Sequence, residues 1–179
     1  MAAARTRGRE GGIVKSLIVF DTKHGATGEI ARSIAQAVRG HGGEADLLDL
    51  RSKGSSARKL EAYHSVALGA PFYMGRWSKR ARSFAEERQG ELAGKRIALF
   101  AVGADAKLGD GAARAALPGV LADRVAFSAY FGGRFDFNRL GALERFIVKK
   151  VTGKAESSST LDLDAAEAFG AKLAEADAK

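Results

Sequence analysis

An α/β fold, a doubly wound five-stranded parallel sheet in the order 2-1-3-4-5 flanked by helices, is what three features of this 179-residue chain predict. Short apolar runs alternate with segments of 3.6-residue periodicity, the pattern of strands joined by helical crossovers. The runs are apolar throughout, as in strands covered on both faces. The first of them, Leu17-Ile18-Val19-Phe20, passes through Thr22-Lys23-His24-Gly25-Ala26-Thr27 straight into a helix. There two hydroxyls, a cation and an uncluttered glycine backbone meet the unpaired N–H groups and positive dipole end of a helix N-terminus, which together can hold an anion.

Each element follows from the same reading. Residues 1–12, rich in Ala, Arg and Gly, carry no periodic apolar signal and are expected to be disordered, with a single folded domain over residues 13–179. After the first strand, Ile30, Ile34, Ala37 and Val38 define one face of a helix that Gly40 and Gly42 stop. Residues 44–50 read as a second strand and residues 51–59, around Gly54-Ser55-Ser56, as a loop or ragged helix. Ser65-Val66-Ala67-Leu68-Gly69 is a third strand ending in a loop, Ala70-Pro71-Phe72-Tyr73-Met74-Gly75, before a helix in which Trp77, Ala81 and Phe84 share a face. Residues 96–102 supply a fourth strand. Residues 103–123 hold a short alanine-rich helix broken by Gly109, Gly111 and Pro118, and residues 125–131 a fifth strand. Residues 139–151 are helical in pattern, residues 155–160, with Ser157-Ser158-Ser159, read as a linker, and Asp162 or Asp164 caps a last helix that buries Ala166, Phe169 and Leu173. Right-handed crossovers then place the ligand crevice at the carboxyl ends of strands 1, 3 and 4. Residues 22–27, residues 70–75 and the run Val102, Gly103, Ala104, Asp105 converge there.

Composition limits the chemistry. The chain has no cysteine, so thiol nucleophiles, thiolate metal sites and disulfides are excluded. His24, His41 and His64 are in no metal-ligand spacing, and no metal is expected. No apolar run nears the roughly 20 residues of a membrane span, and the first residues lack the apolar core of a signal peptide; a cytoplasmic protein is expected. The formal charge of +8 points to an anionic partner. The cations cluster as Arg5, Arg7, Arg9 and Lys15, then Arg76, Lys79, Arg80 and Arg82, then Arg139, Arg145, Lys149, Lys150 and Lys154. Asp21, at the end of strand 1, sits where a receiver domain would carry its phosphoacceptor, but residues 13–20 lack the acidic pair a receiver needs for magnesium.

Over residues 14–151 the chain resembles flavodoxin-like proteins, most of all the quinone-dependent protoporphyrinogen oxidase branch. The flavodoxin phosphate loop reads Ser/Thr-x-Thr-Gly-x-Thr; Thr22, Gly25 and Thr27 match it, and His24 stands where the middle hydroxyl would be. Tyr73-Met74-Gly75-Arg76-Trp77, Phe131-Gly132-Gly133-Arg134-Phe135-Asp136, Arg139-Leu140-Gly141 and Glu144-Arg145 are similar to the oxidase branch in particular. The resemblance implies FMN, its phosphate on Thr22, Lys23, His24, Gly25, Ala26 and Thr27, its ring between Ala70, Pro71, Phe72, Tyr73, Met74, Gly75 and Val102, Gly103, Ala104, Asp105. An aromatic of the Phe72-Tyr73 pair is expected to stack on the ring, Tyr73 being the stronger candidate, while Trp77 is better explained by packing. The implied function is transfer of electrons from a reduced, protoporphyrinogen-like substrate to a quinone such as menaquinone, in heme biosynthesis. Arg76 and Arg134 are the expected partners of the substrate's propionates. No general acid or base is assigned; Tyr73 and His24 are the nearest titratable groups. The stretch between strands 4 and 5 is shorter and less basic than in the oxidases, which weakens transfer of that particular substrate. Residues 139–154 interleave apolar and basic side chains, so they read either as a packed helix with a solvated basic edge or as a peripheral contact with the anionic inner face of the cell membrane. Two rival functions stand beside this one. An electron-carrier flavodoxin is usually acidic, unlike this chain, and a flavin-free binding module of the same fold would explain the missing hydroxyl. Nucleic-acid binding rests on charge alone.

Overall fold

The structure is a computed structural model and describes residues 12–73, 76–103, 114, 117, 119–135, 146, 150 and 158–175. Its sheet grows from β1 (Lys15–Phe20), whose side chains alternate between two apolar layers. Leu17 and Val19 pack with Leu68, Phe84 and Leu121 on one face, and Ile18 and Phe20 with Ile34, Phe100 and Phe169 on the other. Burial on both faces explains the unbroken apolar run. β2 (Glu44–Asp49), β3 (Ser65–Tyr73), β5 (Arg96–Val102) and β6 (Val125–Tyr130) join it in parallel, in the order β2-β1-β3-β5-β6. Counted among the parallel strands alone, this is the predicted 2-1-3-4-5.

Helix α1 (Ala26–Gly40) and the last helix, α5 (Leu163–Ala174), cover one face; α2 (Lys79–Glu87), α3 (Gln89–Leu92) and α4 (Gly119–Ala122) bring Phe84, Leu92 and Leu121 to the other. Of the two expected caps of α5, Asp162 serves: its Oδ1 accepts from the Ala165 N–H at 2.8 Å, and Ala166, Phe169 and Leu173 are buried as the periodicity requires. Phe169 meets Phe100, Phe127 and Phe131 edge-on, with ring centroids 4.7–6.1 Å apart. That geometry suits the quadrupoles of aromatic rings.

Several elements differ from the sequence expectation. Residues 70–73 are not a loop: β3 continues through them, pairing Ala70 with Ala101 and Pro71 with Val102, then folds back on β4 (Arg76–Trp77), where Phe72 faces Trp77. The register of β1 on β3 ends at Gly69, so at Ala70 and Pro71 β3 is paired with β5 alone, and a proline without an N–H is tolerated there. The following helix starts at Lys79 behind the cap Ser78, which leaves Trp77 outside it, although Trp77, Ala81 and Phe84 share one core as expected. Residues 51–59, by contrast, are the expected loop or ragged helix, with a short 3-10 turn at Ser55–Ala57. The expected linker at 155–160 includes a strand: β8 (Ser158–Ser159) pairs antiparallel with β7 (Arg134–Phe135).

Expected disorder over residues 1–12 concerns a segment of which only Gly12 is described, and most of residues 103–118 lie outside the described residues. So does most of the basic segment 139–154; within it Phe146 and Lys150 are described, both helical and exposed. Among the described residues no helix is long and apolar enough to cross a membrane.

Candidate functional site

At the carboxyl edge of the sheet, β1 hands over to α1 through a turn built on Gly25. This glycine takes φ +91°, a left-handed conformation open to a residue without Cβ, and serves as the N-cap of α1 with no side chain capping the helix. Thr22 Oγ1 accepts a hydrogen bond from the Gly25 N–H at 3.0 Å, which closes the turn and leaves its own hydroxyl proton available. Thr27, one residue into α1, is only 2% exposed, and it lines the same cleft as Thr22.

The far wall comes from the end of β5 and from residues 131–134. Phe131 N–H donates to Ala101 O at 3.0 Å and Gly103 N–H to Gly132 O at 2.8 Å, which pins this segment beside the end of β5. Gly132, at φ +67°, leaves no room for a Cβ, which would come within 2.0 Å of Thr160 O. Thr160 ties the next residue in turn, donating its N–H to Gly133 O at 2.8 Å and accepting from Gly133 N–H through Oγ1 at 3.1 Å. The side chain of Arg134 is thereby held over α1: Nη1 donates to Glu29 Oε2, and Nη2 lies 3.7 Å from where a Cβ on Gly25 would be.

Between these walls is a cleft lined by Thr22, Lys23, His24, Ala26, Thr27, Pro71, Val102, Gly103, Gly133 and Arg134. It is narrow, about 20 Å³, the scale of a very small group rather than a ring system. An uncapped helix N-terminus, hydroxyls, two cations and an imidazole at one point make a donor set chemically suited to phosphate.

The structure thus brings together most of the first predicted loop with Pro71, Val102 and Gly103. Two expectations change. Phe72 is 3% exposed and packs in the core with Trp77 and Phe84, so its ring is not available for stacking; Ala70 is likewise a core residue. Arg134, expected beside a substrate, lines this narrow cleft beside Thr22 and Thr27, because the Gly132 and Gly133 hydrogen bonds carry it across the end of β5. Gly133 is a lining residue that the sequence reading did not assign, although the Gly-Gly-Arg run marked its segment. Met74, Gly75, Ala104 and Asp105 lie outside the described residues, as does the side chain of Tyr73. Arg76, opposite Tyr73 on β4, is exposed.

A half-buried ion pair braces the same edge. Asp21, 2% exposed, accepts from Arg51 Nε at 2.6 Å, joining the residue just before the cradle to the turn after β2. Beyond that turn a wider depression of about 400 Å³ lies between Leu50, Ser55 and Ser56 and the helix residues Lys79, Arg80, Ser83, Phe84, Glu87 and Arg88. Among the described residues no group of His, Cys, Asp or Glu is placed to hold a metal ion.

A family model, the flavodoxin domain, matches residues 17–162. The chain belongs to the flavodoxin domain family. Its fold is that of oxidised Flavodoxin 1 from Bacillus cereus, with 20% identity and a TM-score of 0.60 over 89% of this chain and 96% of that one. A flavodoxin, WrbA-like protein from Agrobacterium tumefaciens is similar at 19% identity and a TM-score of 0.55, covering 90% of this chain and 95% of that one. The flavodiiron protein from Giardia intestinalis matches at 16% identity and a TM-score of 0.57 over 89% of this chain but 35% of its own. No curated protein matches the sequence. FMN is the cofactor that membership in the flavodoxin family brings, and with it a flavin-based redox role, as an oxidoreductase or an electron carrier.

Proposed function

We propose that this flavodoxin-family protein is an FMN-dependent oxidoreductase that takes electrons from a reduced, anionic organic substrate and passes them to a quinone. The observation that carries the reading is the basic character of the edge where the cradle lies. Arg76, Lys79 and Arg80 are exposed there, and none of the three has an ion-pair or hydrogen-bond partner among the described side chains. Unpaired cations beside a redox site favour a carboxylate-bearing substrate. The net charge of +8 runs the same way and away from an acidic carrier.

In this reading the cradle holds the FMN phosphate: Thr22 and Thr27 through their hydroxyls, Gly25 and Ala26 through the backbone at the start of α1, and Lys23 and His24 from the rim. Bound there, the flavin supplies reversible transfer of reducing equivalents. Pro71, Val102 and Gly103 form the floor that orients the ring end and keeps water from it, and Arg76, with Lys79 and Arg80, receives the substrate's carboxylates. The substrate that the motifs around Tyr73 and Arg134 imply is a protoporphyrinogen, and a lipid-soluble quinone acceptor agrees with a peripheral membrane contact through residues 139–154.

Anaerobic assays of the FMN-loaded protein with protoporphyrinogen and menadione test the proposal. Quinone reduction that depends on both protein and substrate is expected. Flavin that is reduced and reoxidised only by a protein partner, with no turnover of small molecules, would make the chain an electron carrier instead.

A further inference from the structure

Arg134 is a cation lining the cradle's cleft opposite the first loop. It reaches α1 from 105 residues further along the chain, and hydrogen bonds from Gly103 to Gly132 and between Gly133 and Thr160 fix the segment that carries it. The guanidinium is divided in its contacts. Nη1 is engaged by the Glu29 carboxylate, one turn into α1, while Nη2 is directed over Gly25 at the cradle. A guanidinium has five N–H donors in a rigid fork, so anchoring one nitrogen orients the rest at little further entropic cost. The other residues facing the cleft supply hydroxyls, backbone, Lys23 and His24.

We propose that Arg134 is a phosphate ligand, oriented by Glu29, that makes this site select a phosphorylated flavin over riboflavin. The inference rests on the FMN reading and deepens it. Glu29 is the positioning residue: it offsets the charge of Arg134 in the absence of a ligand and keeps Nη2 turned to the cradle. A phosphate dianion there gains a charge-assisted hydrogen bond that riboflavin, with no phosphate, cannot make. The arginine moved in this way from the substrate's side of the site to the cofactor's leaves substrate anions to Arg76.

Binding of FMN and of riboflavin, measured separately by quenching of flavin fluorescence for the wild type, Arg134→Gln and Arg134→Lys, tests this. Arg134→Gln is expected to weaken FMN by about 10- to 100-fold and to leave riboflavin unchanged, with Arg134→Lys between it and the wild type because charge is kept and the fork is lost. Circular dichroism checks that each variant is folded. Unchanged FMN affinity in Arg134→Gln, or an equal loss for both flavins, would overturn the role of Arg134 while leaving the FMN reading intact. A wild type that binds FMN no better than riboflavin would overturn phosphate recognition at the cradle itself.

Discussion

Tyr63 shows at the scale of single residues how the fold disposes of polar groups beneath its surface. Its hydroxyl donates to Asp46 Oδ2 at 2.7 Å and accepts from Arg58 Nε at 2.9 Å, while Arg58 Nη2 reaches the same Asp46 oxygen at 2.8 Å. Burial raises the Tyr63 pKa above its ordinary value, and the hydrogen bond to Asp46, which needs the proton on the phenol, raises it further. A group whose folded pKa exceeds its unfolded one contributes stability that is complete below the unfolded value and is lost as pH rises toward the folded one. Stability of the wild type relative to Tyr63→Phe is therefore expected to be constant through neutral pH and to decline above about pH 10. Urea midpoints of the two proteins from pH 7 to 11 measure it, and a difference that does not vary with pH would contradict the assignment. The cradle is likewise a matter of single residues, and it was legible in the sequence because Thr22, Gly25 and Thr27 are neighbours whose spacing alone builds a helix N-terminus. Arg134 was not legible as its partner, since no local pattern reports a contact made across 105 residues.

Among the elements, those with a strong period were read well: β5 at both ends, α1 at its glycine stop, β1 short by two residues at its start, and α5 with three of the residues it buries. Weakly patterned ones were not. Pro71 reads as a breaker, yet β3 passes through it because β1 has already ended as a neighbour. The pairing of β7 with β8 joins two residues to two, too short to leave any alternation, and so Ser158–Ser159 looked like linker. This small sheet matters to the site, since it sets the segment that aims Arg134. The docking of α5 depends on the ring of Phe169 against Phe100, Phe127 and Phe131. Phe169→Ala should cost about 3–5 kcal/mol, by lost burial and the cavity left behind. Chemical denaturation checks this, and a loss below about 1 kcal/mol would mean that α5 contributes little to the closed core.

On the scale of the whole molecule, a parallel sheet covered on both faces leaves one edge at which backbone ends, glycines and a helix N-terminus meet. Several basic side chains of this chain lie at that edge: Lys23 and Arg134 at the cleft, Arg51 joined to Asp21, Arg76 on β4 beside the end of β3, and Lys79 and Arg80 at the wider depression. The fold accounts for where a ligand goes, and the charge for what kind of ligand it is. Titration of the cofactor-free protein with FMN, followed by quenching of flavin fluorescence, is the most direct test of the account. One FMN per chain with strong quenching, and markedly weaker binding of riboflavin, is the predicted result. Undiminished flavin fluorescence in the presence of excess protein would contradict it.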